Sequence, residues 1–137
     1  MKNLLIILVL CLLSIKVSAQ VSVIVNKSVP ESSINAAKLS NIYSLNVTKW
    51  ENGVKIVVVD QNDKSDSKAK FYQYISKDPI AVQKDWLRKV ITGEAKAPEA
   101  LGSDADVIRK VASTPGAIGY VKSSSVTGDV KVIAEIK

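Results

Sequence analysis

The stretch from Lys55 to Phe71 constrains this chain more than any other. Residues 55–59 read Lys-Ile-Val-Val-Val, an apolar and β-branched run suited to a strand buried on both faces of a mostly parallel sheet. Eight polar residues follow, Asp60 to Ser67, and apolar character resumes at Phe71, Tyr74 and Ile75. Their spacing of three and four puts these three on one face of a helix. A strand, a polar loop and a helix in this order leave free backbone N–H groups where the helix begins. With neighbouring hydroxyls and a lysine, such groups can hold a small oxyanion. The same residues also describe a solvated loop with a serine N-cap, and both readings stand at this point.

The N-terminus begins Met1-Lys2-Asn3, continues through an uncharged apolar run from Leu4 to Leu13, and reaches Val17-Ser18-Ala19 before Gln20. A short basic region, a compact apolar core and small residues before the break describe a secretory signal peptide over residues 1–19. The apolar core is too short to span a bilayer. Cys11 lies inside it behind Leu10, which argues against a lipoprotein cleavage site. Cleavage after Ala19 takes a chain of 137 residues to 118, enough for one domain with its own core, residues 20–137. The 19 basic residues fall to 17 against 13 acidic ones, a net charge of +4. That balance favours anionic ligands weakly, and no arginine-rich run or aromatic series points to nucleic acid.

There is no histidine, and the single cysteine lies in the signal segment. Ser-His-Asp and Cys-His nucleophilic chemistry, disulfides and the usual zinc sites are therefore excluded from residues 20–137. No metal site and no cofactor is expected, and the chain is not expected to be an enzyme.

In order, Val21 to Asn26 reads as a strand, and Ser32 or Ser33 as the cap of a helix through Ala36, Leu39, Ile42 and Tyr43. Asn52-Gly53 turns the chain into the central strand. Asp78-Pro79 caps and starts a helix with an apolar stripe of Trp86, Leu87, Val90 and Ile91, ending at Gly93. Lys96 to Gly102 reads as a loop. Ser103 with Asp106 resembles a capping box ahead of a helix that buries Val107, Ile108, Val111 and Ala112. Short strands are expected at Ala117–Val121 and from Val130 to Ile136. Intermixed strands and helices without a dividing linker predict one α/β domain.

Three local patterns have competing readings. Ser65-Asp66-Ser67-Lys68 satisfies the S-x-x-K pattern of penicillin-recognising serine enzymes, but S-D-N and K-T-G companions are absent. Asp60, Asn62, Lys64 and Asp66 echo a calcium loop, yet Lys64 occupies a ligand position and Phe71 the place of the closing Glu. Asn46-Val47-Thr48 is a glycosylation sequon that matters only in a eukaryotic secretory pathway. Trp50 and Trp86 are expected to pack in the core or at a domain edge rather than stack on a ligand. Tyr72 lies off the Phe71–Ile75 face and is expected to be exposed beside the loop.

As a set, several segments resemble the periplasmic phosphate-binding proteins of ABC transporters. Ile42-Tyr43 with Val47-Thr48-Lys49-Trp50 follows the pattern I-F-x-G-x-I-T-x-W, with Leu45 in place of its glycine. Asp85-Trp86 with Thr92-Gly93 is similar to the helix that ends in F-x-G. Thr114-Pro115-Gly116-Ala117-Ile118-Gly119-Tyr120-Val121 is similar to T-P-G-A-I-G-Y-V. The resemblance implies the type 2 periplasmic-binding-protein fold and one three-layer α/β/α lobe with a mostly parallel, mixed sheet. Only half of the usual two-lobed clamp is represented.

The family's phosphate loop, G-S-G-T-R-x-x-F, anchored on Phe71, falls on Lys64, Ser65, Asp66, Ser67 and Lys68. The resemblance thus implies Ser65, Ser67, Lys68 and Lys64 as oxyanion ligands, with Tyr72 at the ligand's edge. Its two glycines have become Lys64 and Asp66, and its arginine has become Lys68, which keeps the charge without the bidentate fork. The implied function is non-catalytic binding of phosphate or a similar oxyanion in the periplasm, with an ABC transporter as partner. The alternative is a degenerate lobe that acts through contacts with an envelope protein.

Overall fold

The computed structural model of the chain describes residues 20–137, and the signal-peptide reading of residues 1–19 lies outside them. Five strands and four helices follow in the order β1 (Val21–Val25), α1 (Ala36–Tyr43), β2 (Val57–Gln61), α2 (Asp66–Tyr74), α3 (Pro79–Ile91), β3 (Glu99–Leu101), α4 (Asp104–Ser113), β4 (Ala117–Lys122) and β5 (Lys131–Ile136). The sheet order is β3-β2-β4-β1-β5. β2 runs parallel to both its neighbours, β3 and β4, whereas β1 is antiparallel to β4 and β5. The result is a mixed sheet, as the resemblance implied, parallel around β2 as the apolar run before Asp60 suggested and antiparallel around β1.

Alternation along the strands builds a core on each face of the sheet. Val21, Val23 and Val25 of β1, with Ile118 and Tyr120 of β4, pack against α1, α2 and α3 through Leu39, Tyr43, Phe71 and Trp86. Ile24, Val59, Ala117 and Val121 point the other way and meet Val107, Ile108 and Val111 of α4. Three layers follow, with three helices on one face and one on the other. Gly119 lets α4 approach closely, because a Cβ there would stand 2.8 Å from Val107 Cγ1. Trp50 and Trp86 are both buried, donating their indole N–H to Gly116 O (2.8 Å) and Tyr43 O (2.6 Å).

Several local expectations need correction. The cap of α1 is Asn35, whose Oδ1 accepts Lys38 N–H at 2.8 Å, and not Ser32 or Ser33. Ile34 donates its N–H to Ile133 O at 3.1 Å, which ties the chain to β5 and delays the helix. Only half of the capping box at α4 forms. Ser103 Oγ accepts Asp106 N–H at 3.1 Å, while the Asp106 carboxylate pairs with Arg109 at 2.9 Å. Residues 99–101 are not loop but the edge strand β3, recruited by pairing with Val59–Gln61. On α3, Val82 and Trp86 carry the burial, leaving Leu87, Val90 and Ile91 exposed.

On α2, Tyr74 is exposed, and the buried face is Lys68, Phe71, Tyr72 and Ile75, at spacings of three, four and seven. A lysine thus belongs to the buried stripe.

Candidate functional site

β2 ends by carrying two polar side chains into the interior, Asp60 and Gln61, both buried. The turn after it is made by Asn62, whose Oδ1 accepts Lys64 N–H (3.2 Å) and whose carbonyl accepts Ser65 N–H (3.2 Å). Ser65 then caps α2. Its Oγ accepts Lys68 N–H at 3.3 Å and donates to Gln61 Oε1. Gln61 in turn donates through Nε2 to Tyr120 O (2.6 Å) and Asp104 Oδ1 (3.2 Å), which locks the loop to β4 and α4.

Asp60 is the centre of the buried network. Tyr120 O–H donates to its Oδ1 at 2.6 Å and Tyr72 O–H to its Oδ2 at 3.2 Å, with Lys68 Nζ 3.3 Å from Oδ2. Buried charge is tolerable only with such pairing and hydrogen bonding. Lys68 Nζ also donates to Gln61 O and to Asp63 Oδ1, both at 3.0 Å, and lies 5.7 Å from the centre of the Tyr72 ring. Burial first, and then the Asp60 charge, push the Tyr72 and Tyr120 hydroxyls well above the usual phenol range. Both hydroxyls are therefore held protonated as donors.

The expected ligand residues are thus brought to one place, in different states. Lys64 is exposed on the loop, and Ser65 is committed to the cap and to Gln61. Ser67 is buried, and its hydroxyl bonds no other described residue. Lys68 is buried and held by two carboxylates and a carbonyl. Tyr72 corrects the expectation of exposure. It is buried against Phe71 and Tyr43, and its hydroxyl serves Asp60. Asp60, Asp63, Gln61 and Tyr120 were not singled out from the sequence as site residues. An acidic residue closing a β-branched run was the available signal, since such a position is buried and demands partners.

Asp60, Asp63 and Asp66 against Lys64 and Lys68 make this end of the sheet slightly acidic. Among the described residues no cluster of side chains has the make-up of a metal site.

The geometry agrees with the comparisons. The model of the PBP superfamily domain, PBP_like_2, matches residues 17–133, and the chain belongs to that family. Solved structures with the same fold include one assigned as a phosphate ABC transporter substrate-binding protein, with bound phosphate, from Clostridium perfringens. It has a TM-score of 0.68 at 20% identity, over 84% of this chain and 45% of that one. An ABC-type phosphate transport receptor from Vibrio cholerae matches with a TM-score of 0.66 at 18% identity, over 84% of this chain and 47% of that one. PstS from Borrelia burgdorferi matches with a TM-score of 0.59 at 18% identity, over 85% and 47%. The chain therefore spans less than half the length of these neighbours. At this identity the likeness shows the fold of this chain alone. No curated protein matches it by sequence.

Proposed function

We propose that this chain is a half-size binding-protein lobe that takes a small oxyanion, phosphate or one like it, at the first turn of α2. Ser67, Lys68 and the α2 backbone N–H groups are the ligands, with Lys64 at the rim and Ser65, whose hydroxyl already donates to Gln61, shaping the turn as the cap. Tyr72 leaves the ligand set and acts from behind, by holding Asp60. Residues 1–19, read as an export signal, direct the protein to the cell envelope, where an ABC transporter or another envelope protein is its partner.

The observation that carries this reading is the Asp63–Lys68 pair. An anionic oxygen already stands 3.0 Å from Lys68 Nζ, and it belongs to a side chain that is 86% exposed. Lys68 is buried but its partner Asp63 stands in solvent, free to swing away, so a solute anion can take its place. Wild-type affinity is then on the order of millimolar, because the single lobe leaves each contact open to water. Titration with phosphate by calorimetry and amide chemical-shift mapping tests this. Asp63→Asn removes the internal competitor and a like charge, and should tighten binding roughly five- to tenfold. Absence of phosphate and sulfate binding in both proteins refutes the reading. The second reading, a lobe that acts through protein contacts, is favoured by one feature, an uncovered apolar face on α3. Ile80, Leu87 and Ile91 there are 64%, 60% and 76% exposed.

A further inference from the structure

The far end of β2 carries a cavity, away from the α2 loop. On its β3 side, β2 is covered twice and left open between. Thr48–Trp50 covers its start, with Ile56 N–H donating to Thr48 O and Trp50 N–H to Val54 O, both at 2.9 Å. β3 covers its end, from Val59 onward. Val57 N–H points to β4, donating to Gly116 O at 3.2 Å. Strand alternation therefore turns the Val58 N–H and the Ile56 carbonyl toward the gap. Among the described residues neither has a hydrogen-bond partner. An amide donor on a largely buried residue is a strong site for an acceptor.

The gap opens into a cavity of about 550 Å³ between residues 45–49 and 94–99. That volume suits a small molecule rather than a protein face. Leu45, Val47, Val57 and Val59 give it apolar walls, and Lys49, Lys55, Lys96 and Lys110 line it against Glu94 and Glu99. Lys110 is paired with Glu99 at 3.3 Å, while Lys49, Lys55 and Lys96 make no ion pair among the described residues. The charge balance of the lining is positive, and the Val58 N–H stands among apolar side chains.

We propose that this cavity binds a small organic acid with an apolar body, its carboxylate on the Val58 N–H and the lysine rim, and its chain along the valine walls. An open strand edge could also admit an extended peptide, but Thr48 and Glu99 close the edge at either end of a gap one residue long. The small acid is therefore the occupant.

The test uses octanoate, with 1-octanol as its neutral counterpart and a blocked peptide of alternating Glu and Val as the competing class. Octanoate should shift the Val58 amide and the amides of residues 45–49 and 94–97 saturably, at about 1 mM or below. Octanol should bind roughly tenfold more weakly, and the Lys55→Gln/Lys96→Gln protein should lose a similar factor for octanoate alone. The backbone spectrum away from the cavity reports that this variant is folded. Three results would overturn the proposal: no saturable shift at Val58, octanol matching octanoate, or the peptide saturating the same amides at lower concentration. The α2 loop is not involved, so phosphate binding can fail without affecting this result.

Discussion

Tyr120→Phe isolates the bond on which the buried network depends. The ring of Tyr120 stacks on Phe71 with centroids 4.1 Å apart and planes 6° from parallel, and phenylalanine keeps that packing. Only the hydroxyl goes, and it has two partners. It donates to Asp60 Oδ1 at 2.6 Å and accepts Gln61 N–H at 3.3 Å. A hydrogen bond to a charged group contributes about 1.5–3 kcal/mol, and a stranded buried N–H adds about 1 kcal/mol. The expected loss is therefore about 2–4 kcal/mol, a large share of a domain's typical stability of about 5–15 kcal/mol. With a urea slope of about 2 kcal/mol per M, the midpoint should fall by about 1–2 M. Tyr43→Phe is the control, because its hydroxyl donates to a neutral acceptor, Val59 O at 2.9 Å, and should cost only about 1 kcal/mol. In an Asp60→Asn background the cost of Tyr120→Phe should drop to about that of the control. Equal midpoint shifts for Tyr120→Phe and Tyr43→Phe, or the same cost with and without Asp60, would refute a charge-centred network.

The other predictions concern the same core. Burial, followed by the Asp60 charge, raises the hydroxyls of Tyr43, Tyr72 and Tyr120 in the folded state, so that state retains protons which the unfolded chain releases above about pH 10. Stability is therefore full below pH 10 and falls above it, by up to about 1.4 kcal/mol per pH unit for each tyrosine. In an alkaline titration their phenolate absorbance should rise only together with loss of the folded circular-dichroism signal. Gly116→Ala should destabilise by more than about 2 kcal/mol in urea melts, since φ is +78° and a Cβ would stand 2.3 Å from Lys55 O. Val58→Asp should abolish cooperative unfolding, because an unpaired charge in the core cluster to which Val58 of β2 belongs costs several kcal/mol.

The parts of the fold that were legible in the sequence are those that local physics controls. The β-branched run at residues 56–59 became the strand with parallel neighbours on both sides, and Asp78-Pro79 capped and started α3 as read, with Asp78 accepting Ile80 N–H at 3.2 Å. What was illegible depends on partners remote in the chain. β3 has three residues and no periodic pattern, and exists because β2 presents an edge to it. On α2, Phe71 and Ile75 are buried as expected, but Tyr72 takes the place of Tyr74, because its hydroxyl has a buried acceptor to reach. The sequence places Lys68 at the site, but Asp60 and Asp63 already hold its charge. Nothing local to residues 64–68 reveals that Asp60 and Asp63 both turn toward it.

That internal pairing explains how the loop holds its shape without the two glycines of the pattern it resembles. Asp66 occupies the first turn of α2, where a negative charge offsets the helix dipole by about 0.3–1 kcal/mol, and Ser65 Oγ accepts the Lys68 N–H. Asp60 holds Lys68 from beneath and Asp63 holds it from the solvent side. The loop lysine is thus neutralised by the chain's own carboxylates. Binding of an oxyanion becomes an exchange. In the proposed function the entering anion would replace Asp63 while Asp60 continued to neutralise the lysine, so the gain would rest on hydrogen bonds from Ser67 and the helix N-terminus more than on net charge. Such bonds strengthen when water is excluded. A surface that covers this end of β2, whether an envelope protein or a transporter, would therefore raise anion affinity, and the anion would raise affinity for that surface by the same factor.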